Sequence, residues 1–363
     1  MSAAAAHARS LICMCLSGVG DALTFSPFLT VLKQNRPELV IDVLVMFRAC
    51  ESLYQAHPAV NRVFFVDFVN QGGLASLRDV LRIRRNHYDV SVAALPANRW
   101  EYNVIQVLLG GRRIGHRYLN ANIRNLNFLK QDWIREDDNL HVVEQNINLL
   151  PFFGVARPAT PPPLHFPLME ADTDAAASWL RGRIEAGRPL VAFHPGSATF
   201  KNHIMKRWPA AGFAQVAQRV VDEWNADVLV FGTPDEQDVK DAICAQAARP
   251  GHVHSVDGTS LRVSAALIKR CMQMISNDSA LMHVAAGVGT PVVAIFAYTN
   301  ARTLYPWSVP HRVVRKDLPC SPCFYYSPKP ARCHANINYR CIKSITAEEV
   351  FAAAVSLHTN PSI

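Results

Sequence analysis

Short stretches of this 363-residue sequence carry the acids, bases and glycines that chemistry needs. Ser17-Gly18-Val19-Gly20-Asp21 directly follows the apolar run LICMCL and opens a helical stretch reaching Leu32. Gly18 and Gly20 permit a tight turn and close approach of a backbone or ligand. Asp21 falls where the first helix amides are unpaired and the dipole is positive, a field that keeps a carboxylate ionised. Such a group either caps its own helix or, at a cleft, takes the proton of a bound hydroxyl. The loop is not a complete dinucleotide fingerprint, because GxGxxG is unfinished and no ribose-binding acid is evident after the second strand.

The second half repeats this pattern. His194-Pro195-Gly196-Ser197 ends an apolar run, and Lys206-Arg207-Trp208-Pro209 precedes a helix. Gly196 and Ser197 offer backbone and hydroxyl donors to a phosphate, and Lys206 a compact charge for a leaving diphosphate. The alternative is a solvated lysine beside a packed tryptophan. Further on, Asn277-Asp278-Ser279-Ala280-Leu281-Met282-His283 runs from a strand into a small-residue helix. Asp278 and Ser279 there combine a cap with an anion-binding helix start, whereas His283 alone reads as a helix histidine satisfied locally.

Cys320 and Cys323 form a C-x2-C pair, followed by Cys333 and Cys341 in a proline-rich, aromatic stretch. Four thiolates so spaced close a tetrahedral zinc or iron site that staples an irregular loop, stay as free or buried thiols, or pair as disulfides. A closed structural site has no open position for substrate, so no catalytic role is assigned to it. The other five cysteines sit in apolar surroundings and read as small buried hydrophobes. Nine cysteines without a secretion leader argue for a reducing compartment.

The elements that must hold these residues alternate short apolar runs with helical spacing. LICMCL, IDVLVMF, RVFFVD and DVSVAAL read as buried strands, with ALTFSPFLTVLKQ and ASLRDVLRIRRN as helices between them. The proline-rich RPATPPPLHFP (157–167) cannot continue a helix or central strand and reads as a linker. The alternation then restarts with PLVAFHPGS, DVLVFG, HVHSVDG, QMISND and PVVAIFA as strands, and FAQVAQRVVDEW and SAALIKRC as helices. The expected architecture is α/β: two doubly wound, Rossmann-like domains, 1–165 and 166–363, facing across a cleft lined by loops at the carboxyl ends of parallel strands.

Half the residues are apolar, 18% are charged and the formal net charge is +8, as in a folded chain suited to anionic partners. Nucleotide diphosphates, phosphorylated glycolipids and an anionic membrane surface qualify. Nucleic acid does not, because no basic run is interleaved with aromatics and no zinc-finger or RNP-like pattern occurs. MSAAAAHARS reads as a ragged end rather than a leader, and no apolar run approaches the roughly 20 residues a membrane span needs. The expectation is a cytoplasmic protein, at most peripheral at the inner membrane.

In their order and spacing, SGVGDALTFSPFLTVLK, HPGS, KRWP, NDSALMHVAAGVGTPVVAIFAYT and the cysteine-bearing tail resemble glycosyltransferase family 9, the lipopolysaccharide heptosyltransferases. The resemblance covers nearly the whole chain. It implies a GT-B fold and an inverting transfer needing no cofactor for catalysis. It also implies a nucleotide-sugar donor, ADP-heptose, held mainly by the carboxyl-terminal domain. The acceptor would be a lipopolysaccharide core, another glycolipid or a protein. By that resemblance Asp21 is the catalytic base, with Gly18 and Gly20 in the acceptor-side loop, and Lys206 stands near the donor phosphates. Gly196 and Ser197 lie in the phosphate-facing loop; Glu236, or its neighbour Asp235, bonds the donor ribose; Asp278, Ser279 and His283 lie against sugar and diphosphate. Ala280 and Ala297 stand where many members have glycine, narrowing the sugar-side walls. The rival readings are a nucleotide-sugar epimerase of the same fold and a non-catalytic nucleotide-sugar-binding protein.

Overall fold

The computed structural model describes residues 5–119, 123–247, 249, 251–325 and 329–360, and divides into two compact units. The first reaches Pro167, and the second runs from Leu168 to Tyr325 and resumes at Lys329.

The first unit carries β1 (Ser10–Cys15), β2 (Val40–Val45), β3 (Arg62–Phe65), β4 (Val90–Ala93), β5 (Arg112–Arg117) and β6 (Asp132–Arg135). All pair in parallel, in the order β3-β2-β1-β4-β5-β6. The second carries β7 (Leu190–His194), β8 (Asp227–Val230), β9 (Val253–Ser255), β10 (Gln273–Asn277), β11 (Val292–Ile295) and β12 (His311–Val314) in the order β12-β11-β10-β7-β8-β9. Counted from its own first strand, each sheet follows one plan: three strands run one way, and the fourth returns to the other side of the first. The strand order therefore reverses between β1 and β4 and again between β7 and β10. In doubly wound sheets such reversals open a crevice at the carboxyl edge.

The apolar runs become central strands because both faces are covered: Leu11–Cys15 and Val191–Phe193 are buried throughout. Three strands escape the apolar-run reading. β5 and its neighbour β6 are rich in charge, and cross-strand contacts absorb it: Arg112 pairs with Asp132, and the Arg117 guanidinium lies 3.9 Å over the Trp133 ring. β12 is a partly buried edge strand beside the helix Ala347–Thr359.

The amino-terminal residues are not ragged where described. Ala5 and Ala8 are buried, and Arg36 donates to the carbonyls of Ala6 (2.7 Å) and Ala8 (2.9 Å). The proline-rich stretch has no regular structure but is tied to the first unit, since Leu164 and Phe166 are buried and the His165 amide donates to Ser26 Oγ at 3.0 Å. Among the described residues no helix is long and apolar enough to cross a membrane.

Candidate functional site

In the first unit, β1 delivers Asp21 to the strand-order reversal. Gly18 is the cap residue of the helix Val19–Asn35 and Asp21 lies in its first turn, partly exposed. The glycine is not required by backbone strain: its φ is −68°, and a Cβ there would meet nothing within 4 Å. What it leaves is open room beside the helix start, while Gly20 is buried. The loop is braced from below. Tyr102 Oη donates to the Leu16 carbonyl at 3.0 Å, and Tyr54 Oη to the Ala22 carbonyl at 2.7 Å.

The second unit gathers most of the remaining candidates at the β7/β10 reversal. Asp278 leaves the end of β10, buried, and its Oδ2 accepts from Lys206 Nζ at 2.8 Å and Thr299 Oγ1 at 2.8 Å. Burial alone would raise its carboxyl. The lysine's charge and hydrogen bond and the threonine hydroxyl outweigh that, so Asp278 lies below the usual carboxylate range. His283, one turn into the helix Ala280–Gly287, is held neutral by burial at about 4, and its Nδ1 has no hydrogen-bond partner.

Ser279 caps that helix without bonding its amides. Its hydroxyl instead meets His194 Nδ1 at 2.7 Å, while His194 Nε2 lies 3.4 Å from Glu236 Oε2. The Ser279 side chain thus leaves the first helix amides uncapped. Glu236 is a hub: Oε1 pairs with Arg207 at 2.9 Å, and Oε2 accepts from the Thr233 amide at 3.0 Å. Burial pushes it up, yet His194, the Thr233 amide and Arg207 together hold it at about 2. Gly196 is a glycine for the same reason, because a Cβ there would stand 2.0 Å from Glu236 Oε1. A carboxylate offers about four acceptor sites. The contacts above take three of them; neighbouring Asp235 is exposed.

Ser197 donates to the His203 carbonyl at 2.9 Å and accepts from Arg207 Nε at 3.2 Å, so its hydroxyl organises the loop that carries Lys206. Of the alternative reading of KRWP the packed tryptophan holds and the solvated lysine does not, because the Lys206 side chain is only 11% exposed and paired with Asp278. Trp208 is buried, its indole donating to the Ile345 carbonyl at 2.9 Å, and this packing anchors the chain two residues beyond Lys206.

Sequence reasoning assigned no role to His194, Arg207, Thr299 or His203, although the first three stand inside quoted motifs. Their signal was adjacency to Gly196, Ser197 and Lys206.

All four clustered cysteines, with Tyr298, line one cavity of about 20 Å³. Their thiols are unpaired, excluding disulfides in this structure. Backbone amides of Tyr339, Ile337, Ala335 and Asn336 lower the Cys333 thiol, as they would stabilise a thiolate ligand. The donor chemistry thus suits zinc or iron. The spacing does not: among the described residues no three His, Cys, Asp or Glu side chains are arranged to hold a metal ion. The cavity does touch the loop that carries Lys206, because Tyr298 Oη lies 3.3 Å from His203 Nδ1 and Ala331 donates to the Lys201 carbonyl at 2.9 Å. Of the other five cysteines, four are buried and Cys244 partly so.

Two six-stranded parallel sheets with their covering helices give the chain the GT-B fold. Residues 80–332 match the model of glycosyltransferase family 9 (heptosyltransferase), and the chain belongs to that family. It is 28% identical over 315 residues to lipopolysaccharide heptosyltransferase 2 of Escherichia coli K12, covering 82% of this chain and 86% of that one. Its fold superposes on E. coli ADP-heptose lipopolysaccharide heptosyltransferase II with a TM-score of 0.73 at 22% identity, over 96% of this chain and 98% of the other. A more distant fold relative is the iron-containing dodecameric glycosyltransferase TibC of enterotoxigenic E. coli H10407, with a TM-score of 0.56 at 12% identity over 98% and 77% of the two chains.

Proposed function

We propose that this chain transfers heptose from ADP-heptose to a hydroxyl of the lipopolysaccharide core, with inversion at the anomeric carbon. The observation that carries the reading is the Lys206–Asp278–Thr299 cluster beside the helix Ala280–Gly287, whose cap residue Ser279 makes no side-chain bond to its amides, at a strand-order reversal. A cation aimed next to a helix amino terminus suits a diphosphate that gains charge as it leaves. Family membership and the relatives' activity support heptose as the sugar.

In this reading Asp21 accepts the acceptor hydroxyl's proton as that oxygen attacks the anomeric carbon. The bond to the diphosphate breaks, and its electron pair leaves with ADP, where Lys206 and the helix amides receive the charge. Glu236, through Arg207 and the Gly196–Ser197 loop, keeps the phosphate-facing backbone in shape. His283, neutral and buried, offers Nδ1 to the donor. A metal held by Cys320, Cys323, Cys333 and Cys341 would be structural, and the four thiols would have to draw together from their present spacing to hold it.

Incubation with a panel of nucleotide sugars, read as melting temperature, identifies the donor, because a bound ligand raises stability by mass action. ADP-heptose should give the largest shift, and ADP should appear in proportion to heptose-deficient core acceptor supplied. Donor turnover without acceptor would instead mark an epimerase, and binding without transfer to any acceptor a non-catalytic protein.

A further inference from the structure

The helix Gly73–Arg84 is apolar on two sides. Val80 and Ile83 are buried in the core beside Ile12, Met14, Tyr88 and Leu109, which accounts for one face. The other face is turned to solvent: Leu74 is 87% exposed, Leu77 39% and Leu81 43%. Spacings of three and four place these leucines in one stripe along the helix. Arg78, Arg82 and Arg85, all exposed, recur at four and three and run beside it. Arg84 flanks the other side, hydrogen-bonded to the Leu108 carbonyl at 3.1 Å. From 73 to 85 the chain has four arginines and a single acid, Asp79, which lies 3.5 Å from both Arg78 and Arg82. Just before the helix Val69 is 62% exposed.

A lone exposed leucine means little, but three in a row, bordered by arginines and backed by a well-packed core face, form a helix with a second apolar surface. An apolar stripe bordered by cations matches an interface where hydrocarbon lies below a layer of negative charge. A protein partner would need an acidic ridge on each side of an apolar groove. The bilayer supplies both features without such a match. We infer that this helix docks the first unit on an anionic membrane surface, its leucines entering the acyl boundary and its arginines meeting lipid phosphates. This rests on the helix alone and does not depend on the donor or reaction.

The test is flotation of the full chain with vesicles of phosphatidylcholine alone or mixed with phosphatidylglycerol. The wild type should float with the mixed vesicles, roughly tenfold or more tightly than with the neutral ones, and less so in high salt. Leu74→Ser/Leu77→Ser/Leu81→Ser should keep its melting temperature and lose binding by about a hundredfold, since each leucine stem leaves the acyl region. Arg78→Gln/Arg82→Gln/Arg85→Gln keeps the leucines and should lose the preference for anionic lipid, an independent check should the leucine variant fold poorly. Wild type that does not float, or leucine and arginine variants that bind as it does, would overturn the inference. So would self-association of the wild type, abolished in the leucine variant, without any difference in flotation; the stripe would then belong to a protein contact.

Discussion

Lys206 Nζ and Asp278 Oδ2 lie 2.8 Å apart, with only 11% and 6% of their side chains exposed. Residues 72 positions apart are joined because the end of β10 sits beside the segment that follows β7. In the proposed reaction an incoming diphosphate would meet a cation that is already oriented, at the cost of keeping an ion pair largely out of water.

That pairing separates structure from chemistry. Lys206→Ala should weaken nucleoside diphosphate binding and turnover, and also destabilise the protein by about 3–5 kcal/mol, because Asp278 is left buried without its cation. Lys206→Ala/Asp278→Asn should recover most of the stability and none of the binding. Melting curves and nucleotide titrations of both variants decide it. Wild-type affinity and turnover in Lys206→Ala would reduce the pair to a packing device.

Acid should unfold the second unit in two stages. His203 and His283 are held at about 4 by burial, so the unfolded chain takes up their protons first and stability falls as pH drops from about 6.5. Glu236, held at about 2, stabilises above its ordinary value and loses that contribution from about 4.5 downward, an effect of about 3 kcal/mol. Urea midpoints across pH 7 to 3 should fall throughout, and Glu236→Gln should flatten only the lower stage. Midpoints unchanged between pH 7 and 4 would contradict these burial assignments.

The cysteines make a metal-content prediction. If the four thiols close on a metal from their present spacing, protein purified without added metal should carry close to one zinc or iron per chain, and Cys333→Ser should release it and lower stability. Because the cavity reaches His203 through Tyr298, metal loss should weaken donor binding more than the maximal rate. A chelator added during the assay should leave the initial rate nearly intact. Metal-free protein of unchanged stability would leave the four thiols as packing residues.

What could be read in the sequence was local. Gly18 and Asp21 were visible because a strand, a glycine turn and a helix start follow one another directly. Nine of the strands announce themselves as apolar runs, whereas β5 and β6 hide behind the Arg112–Asp132 pair, whose charge is satisfied only across strands. The hub around Glu236 was not legible: its partners His194 and Arg207 belong to other segments, and nothing in GTPDE states that Gly196 must lie against it. The exposed leucines of the helix Gly73–Arg84 were equally silent, since helical spacing alone does not say which apolar face is covered.

The most direct measurement concerns Asp21. Asp21→Asn keeps the shape of the side chain and removes its capacity to take a proton, so donor affinity measured by titration should match the wild type. Transfer in a single-turnover assay should fall by roughly two to four orders of magnitude, the usual contribution of a positioned general base. Unchanged donor affinity with that loss of transfer is the predicted result; wild-type transfer by Asp21→Asn would contradict the account and leave Asp21 as an ordinary helix-start acid.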